Sequence, residues 1–136
     1  MYELCLDATI ENLSAVSAFL EEIMEEHDVP IKTQMQLAVA VEEIYVNIAH
    51  YSYPEEGGGK AKVSVDFPGD GNKIVIRFMD SGIPYDPLKK PDPDITLAAE
   101  DRPIGGLGIY MVKKTMDDMT YAYENGYNIL TLIKSF

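Results

Sequence analysis

Two pairs of alternating segments, each broken by a tight-turn signature, constrain this chain more than any other feature. Lys62 to Phe67 alternate apolar with polar, and Lys73 to Met79 follow after Pro68-Gly69-Asp70-Gly71-Asn72, which predicts a hairpin. Runs around Met119–Tyr123 and Tyr127–Ile133 flank Asn125-Gly126, a pair suited to a two-residue turn. Tyr2, Leu4 and Leu6 alternate with Glu3, Cys5 and Asp7 and predict one more strand. Helical spacing fills the gaps. Leu13, Val16, Leu20 and Ile23 recur after Asn12, a capping residue type, with Pro30 beyond the helix end. A second helix is predicted from near Thr33 to about Tyr53, where Pro54 and Gly57-Gly58-Gly59 stop it. A third opens at Gly105, Gly106 and Gly108 and runs to about Asp117. This order predicts an α/β fold: a two-layer sandwich of a mixed, mostly antiparallel sheet with the helices on one face. With 136 residues and no repeat or linker, residues 1–136 are expected to form one domain.

The charge balance narrows the class of partner. Eleven Lys and Arg stand against 23 Asp and Glu, a net charge of −12. Direct nucleic-acid binding and anionic membranes are disfavoured, because their phosphates demand a basic surface. A phosphate ligand would need backbone N–H groups or a metal ion to hold it. The single cysteine, Cys5, allows no internal disulfide, and MYELCLDA lacks the basic-then-apolar pattern of a signal peptide. A cytoplasmic location is the expectation.

Three groups of residues could carry chemistry. On the second helix Leu37, Val41, Ile44 and Ile48 fall within about 60° of one another and mark the core face. Glu43, Asn47 and His50 cluster roughly 120° away. Glu43 could serve as a base and Asn47 as a neutral oxygen ligand for Mg²⁺, although alone the pair reads first as a solvated helix face. Asp80-Ser81-Gly82 ends a predicted strand; Asp80 could accept from an amino group on a heterocycle, and Gly82 could let a ligand approach the backbone. Alone, Asp-Ser-Gly reads first as turn chemistry. Gly105-Gly106-Leu107-Gly108 at a helix start suits phosphate. No Gly-Lys-Ser/Thr follows, so it is not a Walker A loop, and Met111 stands where a dinucleotide fingerprint needs glycine. Before it, residues 81–104 hold five of the eight prolines, a stretch too long for an ordinary connection.

Taken in order, these groups resemble the Bergerat-type ATP-binding domain of gyrase-like, Hsp90-like and histidine-kinase ATPases. The likeness is greatest to the anti-sigma factor serine/threonine kinases of bacterial partner-switching systems. Glu42-Glu43-Ile44-Tyr45-Val46-Asn47-Ile48-Ala49-His50 is similar to the N box of that family, and Asp80 through Pro87 to its G1 box. Arg102 through Ile109, with the helix to Met116-Asp117, is similar to the G2 box. The closing Asn125-Gly126-Tyr127-Asn128-Ile129-Leu130-Thr131-Leu132 resembles the subgroup's ending. Pro84 stands where the wider superfamily often has a second G1 glycine. The resemblance implies ATP or ADP with Mg²⁺ as ligands. It implies Asn47 on the metal, Asp80 on the adenine amino group, and Gly82 and Asp86 elsewhere in the nucleotide site. Gly105, Gly106, Leu107 and Gly108 would line the phosphates, and 88–103 would be the ATP lid. Glu43 would be the catalytic base for a partner's serine or threonine. The implied partners are a sigma factor and an anti-sigma antagonist. A homodimer is expected too, since Val75 lies on the strand face opposite Ile74, Ile76 and Phe78. Two rival readings share Glu43: a nucleotide-sensing binding module without phosphotransfer, and a stand-alone ATPase in which Glu43 activates water.

Overall fold

Strands β1 (Tyr2–Asp7), β2 (Lys60–Asp66), β3 (Lys73–Asp80), β4 (Asp118–Glu124) and β5 (Tyr127–Ser135) pair in the order β1-β2-β3-β5-β4. The computed structural model describes residues 1–54, 58–89 and 107–136. Every strand pairing is antiparallel, so the mostly antiparallel sheet expected from the hairpins takes its limiting form. The last strand, β5, inserts between β3 and β4. Its register sets Asn128 opposite Asp80, two polar residues far apart in sequence.

Alternation gives the sheet two unlike faces. One row of β3, Ile74, Ile76 and Phe78, is buried with Val63 and Val65 of β2 and Leu130 and Leu132 of β5. Helices α1 (Leu13–Glu26), α2 (Ile31–Tyr51) and α3 (Leu107–Thr115) cover that face. From α2 it receives Leu37, Val41, Ile44 and Ile48, the predicted stripe, together with Ala40 and Tyr45. Each large aliphatic side chain buried this way contributes about 1.5–3 kcal/mol. The opposite face presents Glu3, Cys5 and Arg77 to solvent. Val75 on that face is only 8% exposed, flanked in register by Asp66 and Ile133.

Two helix starts differ from expectation. Asn12 does not cap α1: it is already helical, and its side-chain amide donates to Asp7 O at 2.8 Å. A 3₁₀ turn, Ile10–Asn12, leads into the helix instead, entered from an extended Thr9. Helix α2 starts at Ile31, ahead of Thr33, with the extended Pro30 as its N-cap offering its carbonyl to Gln34 N–H at 2.9 Å. The fully buried Tyr45 then pins α2 to the end of β1. Its hydroxyl donates to Thr9 O at 2.6 Å and Asp7 O at 3.2 Å, and burial raises the phenol pKa. Among the described residues no helix is long and apolar enough to cross a membrane.

Candidate functional site

Asp80 is the last residue of β3 and continues the inward row of Ile74, Ile76 and Phe78. Its carboxylate is therefore carried under the helices, where the residue is 4% exposed. Burying a charged group is costly unless hydrogen bonds satisfy it. Both bonds fall on one oxygen: Oδ1 accepts from Gly82 N–H at 3.0 Å and from Asn128 Nδ2 at 3.0 Å. Asp80 also lines a cleft, which leaves its other oxygen for whatever enters. Ile44 and Ile48 of α2, Phe78 and Leu130 give that cleft apolar walls, with Asn47 and Tyr85 as polar company. Apolar walls with a few fixed polar groups are the usual form of a small-molecule site.

The loop after Asp80 is built against the end of α2. Gly82 has no room for a side chain, since a Cβ there would lie 2.1 Å from Ser52 O. Ile83 N–H donates to that same carbonyl at 3.0 Å. The close neighbour of Gly82 is thus the backbone at the end of α2, a packing reason for glycine that the sequence reading did not assign. Asp86 caps the 3₁₀ turn Pro87–Lys89 by accepting Leu88 N–H at 2.8 Å. Pro87 lines the cleft beside it.

Glu43 and Asn47 occupy successive turns of α2 and are both half-buried, whereas Glu42 is exposed. Asn47 lines the cleft. The Glu43 carboxylate rests against the start of α3: a Cβ on Gly108 would lie 2.1 Å from both its Cδ and its Oε1. Gly108 thus gives Glu43 its place beside a helix N-terminus, the end that favours negative charge. Leu107 opens α3. Gly105, Gly106 and nearly all of the 88–103 segment lie outside the described residues. Among those described, no three His, Cys, Asp or Glu side chains gather to hold a metal ion.

Asn128, Tyr121 and Tyr85 were not singled out in sequence as site residues, yet all three line the cleft. Asn128 Oδ1 accepts from Tyr85 N–H at 3.1 Å and from the Tyr121 hydroxyl, while Nδ2 also donates to Ile83 O at 2.9 Å. Burial, and after it the nearby carboxylates of Asp86 and Asp80, raise the Tyr121 pKa despite the N–H of Tyr85. The phenol therefore stays a neutral donor at physiological pH. One signal in the sequence pointed here: Asn128 breaks an otherwise apolar inward row of β5, with Leu130 and Leu132.

The family described as Histidine kinase-like ATPase domain matches residues 6–134. The protein named Serine-protein kinase RsbW from Bacillus thuringiensis (strain Al Hakam) is 29% identical over 98 residues, 69% of this chain and 59% of the relative. Its namesake from Bacillus anthracis matches with the same identity and shares. The chain thus spans about 59% of the length of these relatives. A crystal structure of the RsbU and RsbW domains of Rv1364c from Mycobacterium tuberculosis superposes with a TM-score of 0.68 at 19% identity. That match covers 99% of this chain and 32% of the other, and its likeness is one of fold alone.

Proposed function

Because this chain belongs to the histidine kinase-like ATPase domain family, we propose that it is an ATP- and Mg²⁺-dependent serine/threonine protein kinase of the anti-sigma-factor type. The observation that carries this reading is the buried Asp80 carboxylate in an apolar cleft that Asn47 also lines. When bound, Mg·ATP supplies the transferable phosphoryl group, and the ion offsets its charge on a chain that is itself acidic. Asp80 would accept from the adenine amino group, and Ile44, Ile48, Phe78 and Leu130 would enclose the ring. Asn47 would be the protein's oxygen ligand to the ion. Mg²⁺ is held largely by phosphates and water, so a single protein oxygen is enough of an anchor. Gly105, Gly106, Leu107 and Gly108 would offer the start of α3 to the phosphates. Gly82 and Asp86 would act by shaping the loop beside the base. Glu43 would take the proton of a serine or threonine hydroxyl on a partner protein.

The name of the Bacillus relatives supports kinase activity toward serine. In this reading the protein works in the cytoplasm, binds a sigma factor in one state and phosphorylates its antagonist in the other. A homodimer would form through the open sheet face, where Val75 and Ile133 pair across β3 and β5, as do Met79 and Ile129. A second reading, a nucleotide-sensing module that holds its partner by contact alone, draws on Glu43 being seated on Gly108. Incubation with radiolabelled Mg·ATP and whichever small antagonist-like protein is encoded beside it separates the two. Label on a serine or threonine supports the kinase; binding without transfer supports the module. No calorimetric heat with Mg·ATP or Mg·ADP, for folded protein, would sink both.

A further inference from the structure

We propose that Asn128 is a positioning residue that makes the cleft select a base bearing an amino group over one bearing a carbonyl in its place. The inference rests on the nucleotide reading above. Asn128 is 6% exposed, so its amide must find its partners within the protein. Those partners allow one orientation only. Tyr85 N–H can only donate, so the atom 3.1 Å from it must be the carbonyl oxygen. Asp80 Oδ1 and Ile83 O can only accept, so the group at 3.0 and 2.9 Å must be the NH₂. A flipped amide would set oxygen against two acceptors and NH₂ against a backbone donor. The hydroxyl of Tyr121 adds a further donor on the oxygen side.

The locked amide acts on Asp80. With Gly82 N–H it completes two donors on Oδ1, at 3.0 Å each. The oxygen left to the cleft belongs to a carboxylate held in one rotamer, and a carboxylate only accepts. An amino group satisfies it. A carbonyl would set two acceptors face to face in a buried site. Asn128 also holds the loop after β3 at Ile83 and Tyr85, so the wall of the cleft and its acceptor share one support.

Replacing Asn128 with Asp exchanges the NH₂ for an oxygen within hydrogen-bond distance of Asp80. Two carboxylates this close do not both stay ionised, and the proton taken up can reside on the cleft-facing oxygen of Asp80, which would then donate instead of accepting. The test is calorimetric binding of Mg·ATP and Mg·ITP, whose base carries a carbonyl where adenine carries the amino group. Wild type, Asn128→Asp and Asn128→Ser are compared, with circular dichroism to confirm folding. The wild type should prefer ATP by on the order of 100-fold. Asn128→Asp should lower that ratio by about tenfold or more, and Asn128→Ser, which removes the donor without adding charge, by a smaller factor. If both variants weaken ATP and ITP in the same proportion, Asn128 is only structural and the proposal falls while the nucleotide site stands. A wild-type ratio near one also overturns it. Should Asn128→Asp fail to fold, the wild-type ratio and Asn128→Ser decide. Failure of the wild type to bind either nucleotide overturns this inference and the reading beneath it together.

Discussion

A methyl group at Gly108 would meet Glu43, and one at Gly82 would meet the Ser52 carbonyl, each at 2.1 Å. The two clashes have different consequences because a side chain can rotate and a backbone carbonyl cannot. Gly108→Ala should fold and push the Glu43 carboxylate aside, cutting phosphotransfer at least tenfold, the lower part of what a misplaced catalytic group costs. Gly82→Ala should instead destabilise by about 1–3 kcal/mol, read as a lower denaturation midpoint. Glu43→Gln keeps the shape of the side chain but cannot take a proton. It should preserve Mg·ATP affinity while lowering transfer by on the order of 10²–10⁴. Asn47→Ala should weaken Mg·ATP binding itself, and Glu42→Gln, exposed and about 100° around the helix, should be nearly silent. Loss of transfer in Glu42→Gln but not in Glu43→Gln would overturn the assignment of the base.

Among the elements, the end of α1 shows how backbone geometry overrides residue preference. Asp28 has φ +53, Asp28 N–H donates to Glu25 O at 3.2 Å, and Val29 N–H donates to Met24 O at 3.0 Å. That is a Schellman closure with aspartate in the left-handed position usually taken by glycine. Val29 and Met24 are both buried, the apolar contact that accompanies such an ending. Asp28→Gly should relieve the left-handed strain and stabilise the protein by about 0.5–1 kcal/mol, measured by denaturant melts. The β4–β5 turn has its expected residues, with Asn125 at φ +54 and Gly126 at φ +83. Positive φ at both central positions is the hairpin turn whose twist matches its strands, and it fixes the β4–β5 register, with Asn128 opposite Tyr123.

Across the whole molecule, Tyr45 ties the helix layer to the edge strand and gives stability a pH dependence. Its pKa is raised in the folded state, chiefly by burial, so the folded protein holds this proton more tightly than the unfolded chain. The contribution is fully present below the ordinary value of 10.0 and is lost as pH rises from there through the folded value. Thermal melts should therefore decline above about pH 10. Tyr45→Phe should flatten that decline while lowering stability at neutral pH by about 0.5–1.5 kcal/mol. An equal alkaline decline in the variant would assign the effect to other groups. Sedimentation tests the homodimer: a species of only 15.2 kDa at tens of micromolar protein would count against it.

Apolar periodicity together with turn and glycine signals determined the five strands and three helices, and periodicity alone the core stripe of α2, because apolar spacing records which face each element buries. It also put Glu43 one turn before Asn47 and Asp80 at the end of β3, whereas the inward burial of Asp80 is a finding of the structure. Helix starts were less legible: Pro30 and the 3₁₀ turn at Ile10–Asn12 depend on chain geometry outside the repeat. Only the tertiary structure could join Asp80 to Asn128, 48 positions along the chain, because that contact exists only once β5 inserts beside β3. The same holds for Gly82 on Ser52 and Gly108 on Glu43, where the missing side chain is explained by a neighbour from another element. A local pattern carries no information about which distant backbone will arrive; strand order and register do.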